Sequence, residues 1–318
     1  MNLHELPMIL FTVLAQMSVG AFLVLGVVQT VGSLRRSSSA VDRIADPALY
    51  AIGPTLVLGL LASMLHMNDV FHVLNVFRGW QRSWLSREIL FGLGFAGLGF
   101  LFALMQWRKW GSARLRQAVA GITALVGVGL LWVMSRIYTS LIAVPAWHTW
   151  FTPVQFVLTA VLLGSLAVGT AFMTTLMFQR HMLERDGRFL GAKVAPGRAD
   201  AVEVGELLAT SLRGIAVTVI VAGLVLLVLL PLHLTQLADA GPAGAMALEA
   251  YSGPWFVLRL VLVAVGAGLL GLFTYGMARP DAAPKPLAAC ITVAFALVFV
   301  AELLGRMQFY ESMVRIGI

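Results

Sequence analysis

One cysteine in 318 residues, Cys290, excludes an internal disulfide and cannot supply the four thiolates of an iron–sulfur cluster. Charge is almost as scarce. Asp, Glu, Lys and Arg make up 12% of the chain, about half the share usual in soluble domains, while 59% is hydrophobic and the mean hydropathy is +0.89. A water-facing surface cannot be assembled from so few polar residues. Disordered, collagen-like and ordinary globular classes fall away, leaving a polytopic membrane protein. The net charge of +7 does not point to nucleic acid, because the basic residues sit in short breaks between apolar runs, where they orient spans. Walker loops, zinc-ligand spacings and nucleophile elbows are all missing, so no metal site is expected. No internal repeat of the kind that builds many transporters is visible. Gly92-Leu93-Gly94-Phe95-Ala96-Gly97 matches the dinucleotide fingerprint letter for letter but follows no strand, and close helix packing accounts for it better.

What is present is a series of apolar runs long enough to cross a bilayer, which needs about 20 residues per helix. They cover Pro7–Gly32, Tyr50–His66, Ile89–Trp107, Gln117–Tyr138, a stretch after Pro153, Gly214–Leu234, Pro254–Met277, and a last one from Pro286 past Glu302. The first lacks a basic leader, so it reads as a retained helix rather than a secretory signal. The expected fold is therefore all-α, a single membrane-embedded domain over residues 1–318 with eight transmembrane helices and both termini on one side. Fifteen Lys and Arg fall in one set of alternate loops, including Arg35, Lys109, Arg188 and Lys285, against Arg78, Arg82 and Arg87 in the other. The positive-inside rule then places both termini in the periplasm of a bacterial inner membrane. Residues 68–85 mix Phe71, Phe77, Trp80 and Trp84 with Asp69, His72 and Arg82, which suits an interfacial helix on the outer surface. Residues 180–213 read as a cytoplasmic loop with some helix.

Ionisable groups near hydrocarbon are costly and mark candidate function. In this orientation they gather toward the outer face: His66, Glu88, Arg136 with Tyr138, Arg259, and Glu302 with Arg306. Such a set, drawn from several helices, can line a pocket that a lipid-soluble quinol enters sideways, with His66 and Glu88 as the acid–base pair that removes its protons. Arginine would hold the developing quinone oxygen or tune Glu88, and Gln16, two to three turns into the first helix, would add a hydrogen bond. Plainer roles compete with these. Glu302 and Arg306, four apart, would simply pair with each other; His66 would sit at the headgroups, Glu88 would be a first-turn acid, and Arg136 and Arg259 would snorkel to the surface. A haem needs two histidines at matched depth, and only His66 and His233 qualify. Two rival classes stay open: a secondary transporter or permease, in which these charges are gate or substrate contacts, and a structural anchor without a quinone site.

Several motifs sharpen the reading. They are His4-Glu5-Leu6-Pro7, Ala62-Ser63-Met64-Leu65-His66, Leu85-Ser86-Arg87-Glu88-Ile89, Arg136-Ile137-Tyr138, Val144-Pro145-Ala146-Trp147 and Ala301-Glu302-Leu303-Leu304-Gly305-Arg306 with Phe309-Tyr310. In these the protein resembles the membrane anchor subunits of bacterial dimethyl sulfoxide reductases, within the quinone-linked polytopic anchors of molybdopterin oxidoreductases. The resemblance implies a haem-free anchor for anaerobic respiration. Such an anchor oxidises menaquinol near the periplasmic face and passes electrons to a four-cluster iron–sulfur subunit, which feeds a molybdopterin catalytic subunit. It is not by itself an enzyme for the terminal substrate. The family's quinol-linked histidine and glutamate fall on His66 and Glu88, and Arg136, Tyr138, Glu302 and Arg306 match further motifs. The sequence departs from the family where Met67-Asn68-Asp69 follows the histidine, and its 180–213 segment is longer. Relatives that run in reverse, as quinone-reducing anchors of sulfur-compound dehydrogenases, share the same pattern.

Overall fold

The computed structural model describes residues 5–35, 38–64, 79–185, 188–189, 192–193 and 198–316. His66 and most of the expected interfacial helix, residues 68–78, lie outside them. Long helices account for nearly all of the fold: α1 (Leu6–Arg35), α2 (Ser38–Met64), α3 (Trp84–Arg108), α4 (Ala113–Thr139), α5 (Phe151–Arg185), α6 (Arg198–Ala238) and the short α7 (Gly241–Ala247). They continue with α8 (Pro254–Val263), a π-helical turn at Ala264–Leu269, α9 (Leu270–Met277) and α10 (Pro284–Glu311). A two-residue antiparallel pair, β1 (Arg188–Phe189) and β2 (Ala192–Lys193), sits between α5 and α6. The segment expected as a loop over 180–213 is thus largely helical, with α5 running on to Arg185 and α6 starting at Arg198. Arg180 and Arg185 stand at the end of α5, Arg188 and Lys193 on the strand pair, and Arg198 and Arg213 on α6.

Among the described residues seven helices are long and apolar enough to cross a membrane, with α8, the π-turn and α9 acting as one span, Pro254–Met277. They are hydrophobic on all faces, as helices that meet lipid outside and packing inside must be. α2 is not among the seven. Its first turns carry Asp42, Arg43 and Asp46, and Pro47 and Pro54 lie within it. Exposed tryptophans ring the ends of the bundle, Trp80, Trp150 and Trp255 at one and Trp107 and Trp110 at the other, where amphipathic rings sit at a membrane boundary. The face where Leu6 begins α1 and Glu311 ends α10 is called the terminal face below.

Small residues set how closely the helices approach. A Cβ on Gly20 would overlap the carbonyl of Ala160, and one on Gly164 would overlap the backbone of Gly20, so α1 and α5 touch backbone to backbone. Gly127 and Gly129 on α4 receive the rings of Phe95 and Phe91 from α3. Within the glycine run of α3, Gly92 is buried, Gly94 meets Val126 at ordinary contact and Gly97 faces open space.

At the opposite face a polar clamp joins α2 to α3. Gln106 Nε2 donates to Asp42 Oδ1 and Asp46 Oδ1, both at 3.0 Å, and Lys109 Nζ binds Asp42 Oδ2 at 2.7 Å and Asp46 Oδ2 at 3.2 Å. Lys109 reaches back because it caps α3 in the left-handed conformation, φ +49°. Burial alone would lower its pKa, but the hydrogen bond to Asp42 and the charges of Asp46 and Asp42 outweigh it, and the pKa is raised. Burial is also the largest influence on Asp46, whose pKa is raised despite Gln106 and Lys109.

Two outcomes are expected. Gly164→Leu pushes α1 from α5 and costs about 1–3 kcal/mol, read as a lower Tm of the detergent-solubilised protein. Lys109→Met costs less, about 0.2–1 kcal/mol, because the ammonium is half exposed. A folded pKa above the ordinary value of 10.5 means that this stabilisation is complete below pH 10.5 and disappears as pH rises through the raised pKa. The Tm values of wild type and variant therefore converge in strong alkali, and a gap that persists there would rule out the clamp as its source.

Candidate functional site

The last three turns of α10 gather the buried polar groups. Arg306, 1% exposed, donates from Nη2 to Gln16 Oε1 of α1 at 2.7 Å, and its guanidinium lies 4.0 Å from the ring centre of Phe156 on α5. Glu302, one turn deeper, accepts at Oε2 from Thr159 Oγ1 of α5 at 2.5 Å. The two α10 charges therefore do not pair with each other as their spacing suggested; each is drawn to a different neighbouring helix. Tyr138 of α4 and Tyr310 of α10 share a hydrogen bond of 2.7 Å between their hydroxyls. Glu88, on the second turn of α3, is buried and lies near both tyrosines. Gln16, Glu88, Tyr138, Glu302 and Arg306 are thus brought to one region near the terminal face.

An aromatic plug closes that region. The connection after α4 folds back so that Trp147 stacks on Phe309 at 5.3 Å and donates Nε1 to the Phe309 carbonyl at 2.7 Å, with Tyr138 edge-on to both rings. Thr152 Oγ1 donates to the Trp147 carbonyl at 2.9 Å and ties the plug to the start of α5. The motif Val144-Pro145-Ala146-Trp147 is therefore a lid over the end of α10, held by ring packing and two hydrogen bonds.

Arg136 is not part of this set. Half-buried, it donates to Thr139 Oγ1 at 3.3 Å, lies 5.2 Å from the ring centre of Trp84, and borders a recess of about 280 Å³ with Trp132, His148 and Trp150. The physical reason is helical phase: Tyr138 faces the bundle interior, and Arg136, two residues earlier, points away from it. Arg259 departs from expectation in the other direction. It is 1% exposed rather than snorkelled, donates to Gln308 Oε1 at 3.3 Å, and lays its guanidinium where a Cβ on Gly305 would stand. His233, also 1% exposed, stacks on Phe151 at 4.6 Å. That contact gives the histidine a packing role on the α6 side of α10.

Several buried polar atoms have no partner among the described residues: Nε2 of Gln16, Oε1 of Glu302, Nε and Nη1 of Arg306, Nε and Nη2 of Arg259, and Nδ1 of His233. Groups this deeply buried are completed by water or by a ligand. The unspent donors of Gln16 and Arg306 beside the unspent acceptor of Glu302 suit a group that both gives and takes a hydrogen bond. Sequence reasoning missed Tyr310, Thr159 and Gln308 as site residues. Tyr310 was visible as part of a motif and Thr159 as a hydroxyl two turns into a span, but only the rotation of α4, α5 and α8 about α10 makes them partners. No group of three or more His, Cys, Asp or Glu able to hold a metal occurs among the described residues.

These features define a multi-pass helical membrane protein with a buried polar network at one end. The chain belongs to the DMSO reductase anchor subunit (DmsC) family, whose sequence profile matches residues 1–311. It is similar to a subunit of the anaerobic dimethyl sulfoxide reductase of Escherichia coli (strain K12), 33% identical over 163 residues, 51% of this chain and 56% of that protein. The corresponding subunit of the Haemophilus influenzae reductase is 30% identical over 175 residues, 54% of this chain and 60% of the relative. The anaerobic dimethyl sulfoxide reductase subunit YnfH of Escherichia coli (strain K12) is 29% identical over 165 residues, 51% of this chain and 55% of the relative. The matches therefore span little more than half the length of these curated relatives.

The tyrosine pair generates a test of the network. Tyr138→Phe and Tyr310→Phe each remove one half of a buried hydrogen bond and cost about 1–2 kcal/mol, measured as Tm. The double variant costs clearly less than the sum, because the second change no longer leaves a hydroxyl behind. Additive losses would show that the two hydroxyls do not depend on each other.

Proposed function

We propose that the protein is the quinol-oxidising membrane anchor of a dimethyl sulfoxide reductase-type complex, set in a bacterial inner membrane with its terminal face in the periplasm. The observation that carries this reading is the buried set of Glu302, Arg306 and Gln16, with unspent donors and an unspent acceptor, close to Glu88 at one end of the bundle. Hydroquinone hydroxyls match that pattern, since each donates its proton to a carboxylate and accepts from a guanidinium or amide. Family membership and the printed names of the relatives support the same reading.

Eight crossings fit it as well. α1 starts at the terminal face and α3 starts there again, beside Tyr138 of α4, so the backbone must return between them. α2 is the element available for that return, and at 27 residues it spans about 40 Å, enough for the roughly 30 Å of hydrocarbon. Its charges then stand at the cytoplasmic end with the clamp, and its apolar part runs from Pro47 to Met64.

In this function a menaquinol enters from the lipid near the start of α3 and gives up two protons and two electrons. Glu88 and His66 accept the protons; Arg306, oriented by Gln16, and the Tyr138–Tyr310 pair steady the ring oxygens. Arg136 guards the recess alongside Trp132 rather than touching the reacting oxygens. The electrons pass to an iron–sulfur subunit and on to a molybdopterin subunit. Those partners hold the redox centres, and the residues here bind, orient and deprotonate.

The test uses the assembled complex in native membranes. Glu88→Gln and His66→Ala should each slow quinol-driven turnover at least about a hundredfold, the scale of acid–base contributions, while reduction by an artificial donor that feeds the partner subunits directly is unchanged. Quinol turnover that survives both changes would leave a structural anchor as the better description. Recovery of the protein without redox subunits after gentle affinity purification would favour a transporter.

A further inference from the structure

A second recess, of about 350 Å³, opens on the lipid side between α1, α2 and α5, with Phe295 of α10 at its back. The sequence produces it by omission. Ala21, Ala48, Ala51, Ala167 and Ala171 line it with side chains too short to fill the gap, and Pro47 interrupts the hydrogen bonding of α2 where it borders the slot. Two of its five hydroxyls are spent on their own helices, Ser18 Oγ on the Leu14 carbonyl at 2.8 Å and Thr55 Oγ1 on the Ala51 carbonyl at 3.0 Å; Thr170, Thr174 and Thr175 add hydroxyls on the α5 side, and the other lining side chains are apolar.

Position decides what the slot takes. Met17 and Ser18 line it, and Gln16, the next residue, holds Arg306 in the polar network. From that level it runs inward along α2 from Thr55 to Pro47, eight residues or about 12 Å. A recess lined mainly by small apolar side chains, beginning one residue along α1 from Gln16, suits a chain attached to the ring.

We infer that this slot binds the polyprenyl tail of the quinol, so that ring and tail are recognised by separate parts of the bundle. The inference rests on the quinol reading above. Its consequence is that affinity for the tailed substrate, rather than chemistry, depends on the small residues of α2 and α5.

The experiment compares Ala51→Phe and Ala171→Phe with wild type in the assembled complex, using a full-length polyprenyl naphthoquinol and a tail-less naphthoquinol, with lipids extracted from each purified complex for mass spectrometry. Ala51 is exposed on the rim and tolerates a larger side chain, so the two variants separate slot filling from misfolding. A KM for the tailed quinol raised about tenfold, with kcat held, the tail-less quinol unaffected and co-purifying quinone lost, is the expected result. Unchanged KM for the tailed quinol in both variants, or a phospholipid displaced in place of quinone, overturns the tail site. If wild-type complex oxidises neither quinol, the quinol reading fails first and the slot falls with it.

Discussion

Every polar atom buried in an apolar bundle has to find a partner, and α10 is where most of that requirement is met. Glu302, Arg306, Gln308 and Tyr310 lie within nine consecutive residues, which is more polar chemistry than a single helix can satisfy by itself. Around them α1 supplies Gln16, α4 supplies Tyr138, α5 supplies Thr159 and α8 supplies Arg259. The arrangement of helices at the terminal face follows from this demand as much as from apolar packing. Lipid is as apolar as leucine and gives helices little hydrophobic reason to associate.

Close approach is the complementary condition. α1 and α5 meet through Gly20 and Gly164, which brings Gln16 and Thr159 within reach of α10 from two sides. Gly305 does the same for Arg259, whose guanidinium fills the volume a side chain would take. Removing bulk at a few positions thus lets charged groups sit deep without being exposed to lipid. Alanines use the same device on the α2 side, where they line a recess between α1, α2 and α5.

Much of the architecture was legible in the residues. The apolar runs located seven spans, although α6 begins sixteen residues before its run, and Glu88, Glu302, Arg306, Tyr138 and Gln16 are buried toward the same end of the bundle. Depth along a helix follows from counting at 1.5 Å per residue, so charges near the same end are bound to share a level. Rotation does not follow from counting. Arg136 and Tyr138 are neighbours in sequence yet serve different regions, and Arg259, which looked free to reach the surface, is turned inward. Glu302 and Arg306 have the spacing of an intrahelical pair but bind different helices, because Thr159 and Gln16 lie closer to where each points.

The sequence by itself determined that this is a multi-pass membrane protein of the anchor family and that its costly charges cluster toward one end. Composition and run length answer to the bilayer, which acts on each segment independently. Which of those charges meet, which tyrosine answers Tyr138, how Trp147 covers α10 and where the alanines leave a slot were decided only in the tertiary structure. Those outcomes depend on the relative rotation and spacing of helices far apart in the sequence, and the close-packed glycine and alanine contacts that set them carry no periodicity of their own.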